Sequence, residues 1–136
     1  MYTQWTDDRT EQIIFARILA YVHRHYYRST LQAQDIANDI HFSTSYMSAI
    51  FKRRMKKKLW DYITELRIES AKQLLQTTSK KRDEIAYDIG YESPEHFSRM
   101  FKRYTGISPT EYRHQFPLSE SFSYIPYVLQ QTSNLE

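Results

Sequence analysis

The chain states one pattern twice. Ile36-Ala37-Asn38-Asp39-Ile40-His41-Phe42 is followed, nine residues after Phe42, by Phe51-Lys52-Arg53. Ile85-Ala86-Tyr87-Asp88-Ile89-Gly90-Tyr91 is followed, ten residues after Tyr91, by Phe101-Lys102-Arg103. Each copy adds a tyrosine, Tyr62 or Tyr112, eleven residues past its phenylalanine. A repeat of about 50 residues implies two similar supersecondary units built to meet two similar surfaces. Each copy reads as helix, tight turn, helix, with a basic end on the second helix, a pattern that points to DNA.

Composition narrows the class. With 136 residues the default is one compact body in two lobes, able to bury about two thirds of its unfolded surface. There is no cysteine, so disulfides and thiolate metal sites are excluded, and no metal or cofactor is expected. No apolar run approaches the roughly 20 residues that span a bilayer, and Met1-Tyr2-Thr3-Gln4-Trp5-Thr6 lacks the order of a signal peptide. The expected location is cytoplasmic, at the nucleoid. Net charge is only +3, but Lys52, Arg53, Arg54, Lys56, Lys57 and Lys58 crowd one short stretch. Two glycines and four prolines leave few strand-turn signals, so the predicted fold is all-α with about seven helices.

The periodicity predicts a first helix over about Asp8 to Tyr27, with Ile14, Ile18, Leu19, Val22 and Tyr26 on its apolar stripe. Ser29 or Thr30 is the expected cap of a short second helix through about Asp39, burying Leu31, Ile36, Ala37 and Ile40. Ser43 caps a third helix through about Lys56. A fourth, about Leu59 to Gln76, has Leu59, Ile63, Leu66, Ala71, Leu74 and Leu75 along one side. A fifth covers about Asp83 to Ile89, with Gly90 suited to a left-handed turn. Ser93-Pro94 and Ser108-Pro109 start a sixth helix, to near Tyr104, and a seventh, through about Gln115. The organisation follows: 1–57 first helix and first helix-turn-helix, 58–77 linker helix, 78–115 second helix-turn-helix, 116–136 aromatic tail.

At 3.6 residues per turn, Met47, Ile50 and Phe51 share one side of the third helix, and Ser45, Ser48, Ala49 and Lys52 the other. In the sixth helix Phe97, Met100, Phe101 and Tyr104 face inward. Glu95, Ser98, Arg99 and Lys102 face outward, with His96 and Arg103 at the edges. A helix buried on one face, with short polar groups and one or two bases on the other, fits the major groove. Arg99 is the best candidate for a specific contact, because a guanidinium can pair with both guanine acceptors. Glu95 can accept from a cytosine amino group, and His96 can donate or accept. A merely solvated polar face accounts for either helix alone. It does not account for two helices sharing spacing, inner-face type and a Phe-Lys-Arg ending. Cations also favour helix C-termini, which explains one or two of the run after Phe51 but not six. Phosphate neutralisation with counterion release explains the excess.

From Leu31 to Arg113 the chain resembles the DNA-binding domain of the AraC/XylS family of bacterial transcription regulators. The resemblance is carried by Ile85-Ala86-Tyr87-Asp88-Ile89-Gly90-Tyr91-Glu92-Ser93-Pro94-Glu95-His96-Phe97, continuing through Phe101-Lys102-Arg103-Tyr104-Thr105-Gly106-Ile107-Ser108-Pro109 to Tyr112-Arg113. Leu66-Arg67-Ile68-Glu69-Ser70-Ala71-Lys72-Gln73-Leu74-Leu75 is similar to the family's linker helix. The resemblance implies two helix-turn-helix units whose recognition helices enter successive major grooves, about 34 Å apart. It implies base contacts from Ser45, Ser48, Ala49, Glu95, His96 and Arg99, and phosphate contacts from Lys52, Arg53, Arg54, Lys57, Lys102 and Arg103. Three positions depart from the family pattern. His41 stands where a turn glycine is usual, Lys56 where the second copy has Gly106, and Arg82 where an apolar residue is usual.

The reading is therefore a sequence-specific double-stranded DNA-binding transcription regulator, an activator by the family's commoner habit, bound to DNA as a monomer. The alternative is a helical protein-interaction module or co-regulator that does not itself read DNA sequence. An enzyme is not expected: His23 and His25 do not share a helix face, and no phosphate loop or nucleophile elbow occurs. About 30 residues precede the matching stretch, too few for a small-molecule effector domain. The chain is expected to be a stand-alone family member or part of a longer product. The tail, with Phe122, Tyr124 and Tyr127, is expected to pack on the second lobe, or else to offer a dimer or RNA polymerase contact.

Overall fold

The computed structural model describes residues 7–117. It contains α1 (Asp8–His25), α2 (Ala33–Ile40), α3 (Thr44–Met55), α4 (Leu59–Thr77), α5 (Arg82–Asp88), α6 (Pro94–Thr105) and α7 (Pro109–Gln115). The capping signals place most of the starts. Ser43, Ser93 and Ser108 each accept, through the side-chain oxygen, a backbone N–H three residues on, at 3.1 Å in all three cases. Asp7 does the same for Thr10 at 2.8 Å. The expected cap of α2 is displaced. The helix begins after Gln32, not after Ser29 or Thr30, because the Asp35 carboxylate accepts the Gln32 backbone N–H at 2.9 Å.

Two buried apolar clusters form, and α4 belongs to both. The first joins α1, α2 and α3 to the start of α4: Ile18, Val22, Ile36, Ala37, Met47, Ile50, Phe51 and Leu66 are fully enclosed there. The second begins at Ile68 and takes in Ala71, Leu75, Ile85, Ala86, Ile89, Phe97 and Phe101. The expected stripe on α4 is observed with Tyr62 and Ile68 added, while Leu74 is only half-buried. Tyr104, expected on the inner face of α6, is 39% exposed.

The repeat is geometric as well as textual. Phe51 and Tyr62 lie with ring centroids 5.5 Å apart, and so do Phe101 and Tyr112. In the two turns the Phe42 N–H donates to the Ala37 carbonyl at 3.2 Å, and the Tyr91 N–H to that of Ala86 at 2.9 Å. Each bond spans five residues, so each turn needs a left-handed residue. Gly90 supplies it in the second turn (φ 105°) and His41 in the first (φ 64°). Lys56 (φ 67°) likewise ends α3 in the same left-handed turn that Gly106 (φ 88°) gives α6, so α3 does not run on. The departures from glycine changed the residue and kept the turn, at a steric cost of about 1–2 kcal/mol each.

Between the clusters stands Arg67. Its Nε donates to the Tyr26 carbonyl at 2.8 Å and its Nη2 to the Arg28 carbonyl at 3.0 Å, both just beyond α1. Its guanidinium carbon lies 5.6 Å from the ring centroid of Tyr91, in the second unit's turn. A Cβ on Gly90 would sit 2.8 Å from Arg67 Nε and 3.0 Å from the Tyr26 carbonyl oxygen, whereas one on Gly106 meets nothing within 4 Å. Tyr26 adds a second tie, its hydroxyl donating to Ser70 Oγ at 3.1 Å. Gly90→Ala is accordingly expected to cost about 3 kcal/mol in urea denaturation, and Gly106→Ala about 1 kcal/mol, since only the former adds a clash to left-handed strain. Equal costs would deny the close approach.

His23 is the buried polar residue of the first cluster. Its Nε2 is 2.6 Å from the Tyr62 hydroxyl, and among the described residues its Nδ1 has no partner. Burial holds its pKa below the ordinary histidine value. The unfolded chain therefore takes up a proton that the folded one refuses. The stability so contributed is complete above about pH 6.5 and is lost as pH falls below it. Urea midpoints at pH 7.5 and 5.5 should differ more for the native chain than for His23→Gln.

Candidate nucleic-acid interface

Two helices, α3 and α6, lie at matching places in the two clusters, each with a buried and an exposed face. On α3 Met47, Ile50 and Phe51 are enclosed, while Ser45, Ser48, Ala49 and Lys52 are exposed. On α6 Phe97 and Phe101 are enclosed, while Glu95, His96, Arg99, Lys102 and Arg103 are exposed and Ser98 is half-buried. All six residues expected to meet bases are therefore accessible. α4 separates the two helices; its 19 residues give an axis of about 28 Å.

The cations divide into two kinds. Among the described residues Lys52, Arg99, Lys102 and Arg103 form no salt bridge, so their charge is available to an anionic ligand. Arg53, Arg54 and Lys57 are already engaged. Arg53 donates from Nη2 to Glu11 at 2.5 Å; Arg54 donates from Nε to Glu11 at 3.0 Å and from Nη2 to Asp8 at 2.5 Å. Lys57 donates to both Glu65 oxygens, at 2.9 and 3.1 Å. The Glu11 side chain is only 13% exposed, and the Arg53 bond, with support from Arg54, holds its carboxyl below the usual range. Part of the basic run thus fastens the end of α3 to the start of α1, a role that sequence spacing does not reveal.

The outward face of α6 is braced from α5. Arg82 lies 4.0 Å from Glu95 and 3.5 Å from Ser98 Oγ, and Ser93 Oγ donates to Glu95 at 3.2 Å. The arginine at the start of α5 therefore reaches the second unit's exposed face. His96 stands edge-on to Tyr91 at 5.2 Å and shares a groove with Trp60, Arg67 and Met100. Two residues of consequence were not singled out from sequence: Arg67, and Trp60, which is 49% exposed at the start of α4. Comparing the repeats aligns Trp60 with Thr110, a signal that was present in the chain.

Beyond the described residues lies the part of the tail that sequence analysis expects to pack on the second lobe. Within them, Phe116 stacks on Tyr112 at 4.8 Å and its carbonyl accepts from Gln76 at 3.0 Å. Among the described residues no helix is long and apolar enough to cross a membrane.

Two turn-linked helix pairs, each with one helix buried on one side and polar on the other, define a tandem helix-turn-helix DNA-binding domain. A helix-turn-helix domain family matches residues 36–115. The lactose operon transcription activator of Staphylococcus xylosus is 31% identical over 93 residues, 68% of this chain and 33% of its own length. Among solved structures, the C-terminal domain of AraT, a response regulator from Geobacillus stearothermophilus, superposes with a TM-score of 0.76 at 30% identity, covering 84% of this chain and 94% of that domain. An AraC-type DNA-binding regulator from Chromobacterium violaceum gives a TM-score of 0.69 at 30% identity, covering 76% and 92%. The chain belongs to the AraC/XylS family of DNA-binding transcription regulators. It spans about a third of the length of curated relatives it matches.

Because Glu11 neutralises two arginines at the end of α3, Glu11→Gln should lower the melting temperature by several degrees. It should also strengthen binding to arbitrary duplex DNA and steepen the salt dependence by up to about one unit of log–log slope. Unchanged salt dependence would mean that Arg53 and Arg54 do not reach phosphate even when released.

Proposed function

We propose that this domain places α3 and α6 in successive major grooves on one face of B-DNA and thereby directs transcription from nearby promoters. The observation that carries the reading is the paired geometry. Two helices equivalent by repeat, each offering short polar or basic side chains outward, pack in two apolar clusters that share α4, and Arg67 of that helix contacts both units. Ser45, Ser48 and Ala49 meet base edges from α3, and Glu95, His96 and Arg99 from α6. Lys52, Lys102 and Arg103 meet phosphates. Arg53, Arg54 and Lys57 do so only by leaving carboxylates they now hold, so their share of phosphate binding is smaller than the count of cations implies.

The two units do unequal work. Arg99, which forms no salt bridge among the described residues, offers a guanidinium on the exposed face of α6 that can pair with N7 and O6 of a guanine. The face of α3 has no such group. The chain binds DNA as a monomer, because it already carries two reading helices. Activation, with RNA polymerase as the partner, is the sign of regulation we favour, as in the activator of the lactose operon named above. Residence at the nucleoid follows from DNA binding.

A selection from random duplexes with the purified chain tests this directly. A single motif should emerge, with two half-sites about one helical turn apart. Arg99→Ala should then remove about 1–3 kcal/mol of discrimination at one guanine of one half-site. Lys102→Ala should weaken all sequences alike and lessen the salt slope by about one. Binding indifferent to both sequence and salt would favour a protein partner instead.

A further inference from the structure

Beside α3 lies an open depression of about 460 Å³. Its walls are Ala33 from the start of α2, Ser48 and Ala49 from α3, and Leu59 and Trp60 from the start of α4. Lys52 and Lys58 complete the lining, and no carboxylate takes part. The depression includes the exposed side of α3 that the proposed function turns toward base edges, so what fills it decides what the first unit reads.

The internal repeat supplies a comparison within one molecule. Counting from the shared Ile-Ala pair, Ala33 stands where the second unit has Arg82. Counting from the shared Phe-Lys-Arg, Ser48 matches Ser98, Ala49 matches Arg99 and Lys52 matches Lys102. By the same count Lys58, Leu59 and Trp60 match Ser108, Pro109 and Thr110. Two arginines in the second unit are thus two alanines in the first, and a threonine is a tryptophan. The lysine at 52 is kept and another is added at 58. On this wall the first unit thus has neither guanidinium, keeps one short hydroxyl at Ser48, keeps Lys52 and gains Lys58.

A wall that is mainly apolar between its two lysines, with a hydroxyl that both donates and accepts as its one short polar group, distinguishes poorly between donors and acceptors on base edges. Of the four bases, only thymine offers an apolar group in the major groove, its C5-methyl. Cations at the edge of the depression suit the phosphates of the same strand, and small residues at 33, 48 and 49 let a base edge come close. We infer that the first unit reads thymine, its methyl edges lodging against Ala33, Ala49 and Trp60 while Lys52 and Lys58 hold the flanking phosphates. This rests on the proposed DNA reading and adds its chemistry: the first unit selects for methyl groups, the second for guanine.

Deoxyuridine tests it, since it pairs as thymidine does but lacks the methyl. In the duplex selected with the full chain, each thymidine is replaced in turn, and binding is measured by titration. In the half-site whose preference Arg99→Ala leaves intact, replacement should weaken binding about fourfold at each contacted methyl. In Trp60→Ala the same replacements should cost clearly less. Ala49→Arg, which installs the second unit's residue, should move the preference of that half-site from thymine to guanine. Trp60 is exposed, so its loss should spare the fold, and circular dichroism checks this. If duplex binding is tight and selective yet indifferent to deoxyuridine throughout that half-site, the inference fails and the DNA reading stands. If Trp60→Ala keeps full methyl sensitivity and Ala49→Arg leaves the preference unchanged, it fails likewise. If no duplex is selected at all, both fall together.

Discussion

The guanidinium of Arg67 is the contact on which the geometry of this molecule turns. It sits in mid-helix on α4, where one apolar cluster ends at Leu66 and the other begins at Ile68. From there it donates to two carbonyls at the end of α1 and faces the Tyr91 ring in the second unit's turn. Burying an arginine is costly unless its donors are satisfied, and here carbonyls and an aromatic face do so without a carboxylate. The burial shows in both partners: desolvation lowers the pKa of Arg67 and pushes that of Tyr91 up to about 12. Gly90 belongs to the same arrangement, because a Cβ there would occupy the space of Arg67 Nε. Two units that share only one helix could twist about it. A second tie from α1 to that helix and to the opposite turn removes the freedom, and so fixes α3 and α6 relative to one another.

Within that frame the two units have diverged in how they spend their charge. The second keeps Gly90 and Gly106 in its left-handed turns and displays Arg99, Lys102 and Arg103 without salt bridges among the described residues. The first accepts His41 and Lys56 in the same turns. It commits Arg53 and Arg54 to Glu11 and Asp8, and the depression beside α3 is lined by Ala33, Ser48, Ala49, Leu59 and Trp60 with Lys52 and Lys58. Fewer cations are therefore unpaired among the described residues than the basic run advertises, and α1 becomes part of the mounting of α3. Glu11 and Asp8 thereby hold both arginines to the start of α1.

Much of this was legible in the chain. The caps at Ser43, Ser93 and Ser108, the stripes on α1 and α4, the buried face of α3 and, save for the exposed Tyr104, that of α6 follow from local rules, because helix periodicity and capping involve residues at most four apart. The start of α2 is not legible in this way, since Ser29 and Thr30 compete as caps with the bond from Gln32 to Asp35, and spacing alone does not rank them. The exposed outward faces of both reading helices were likewise legible, as the complement of their buried sides.

What escaped was every contact across large sequence separation. Arg53 meets Glu11 across 42 residues and Arg67 meets Tyr26 across 41. Nothing in composition or period says which of 19 cations will find a carboxylate, a carbonyl or open water. The sequence by itself determined the helices, the repeat and the class of partner, because these depend on local hydrogen bonding and on which faces are apolar. Only the tertiary structure decided which cations remain free, how the two units are locked together, and that Ala33, Ala49 and Trp60 share one wall, because those depend on where three helices bring distant residues side by side.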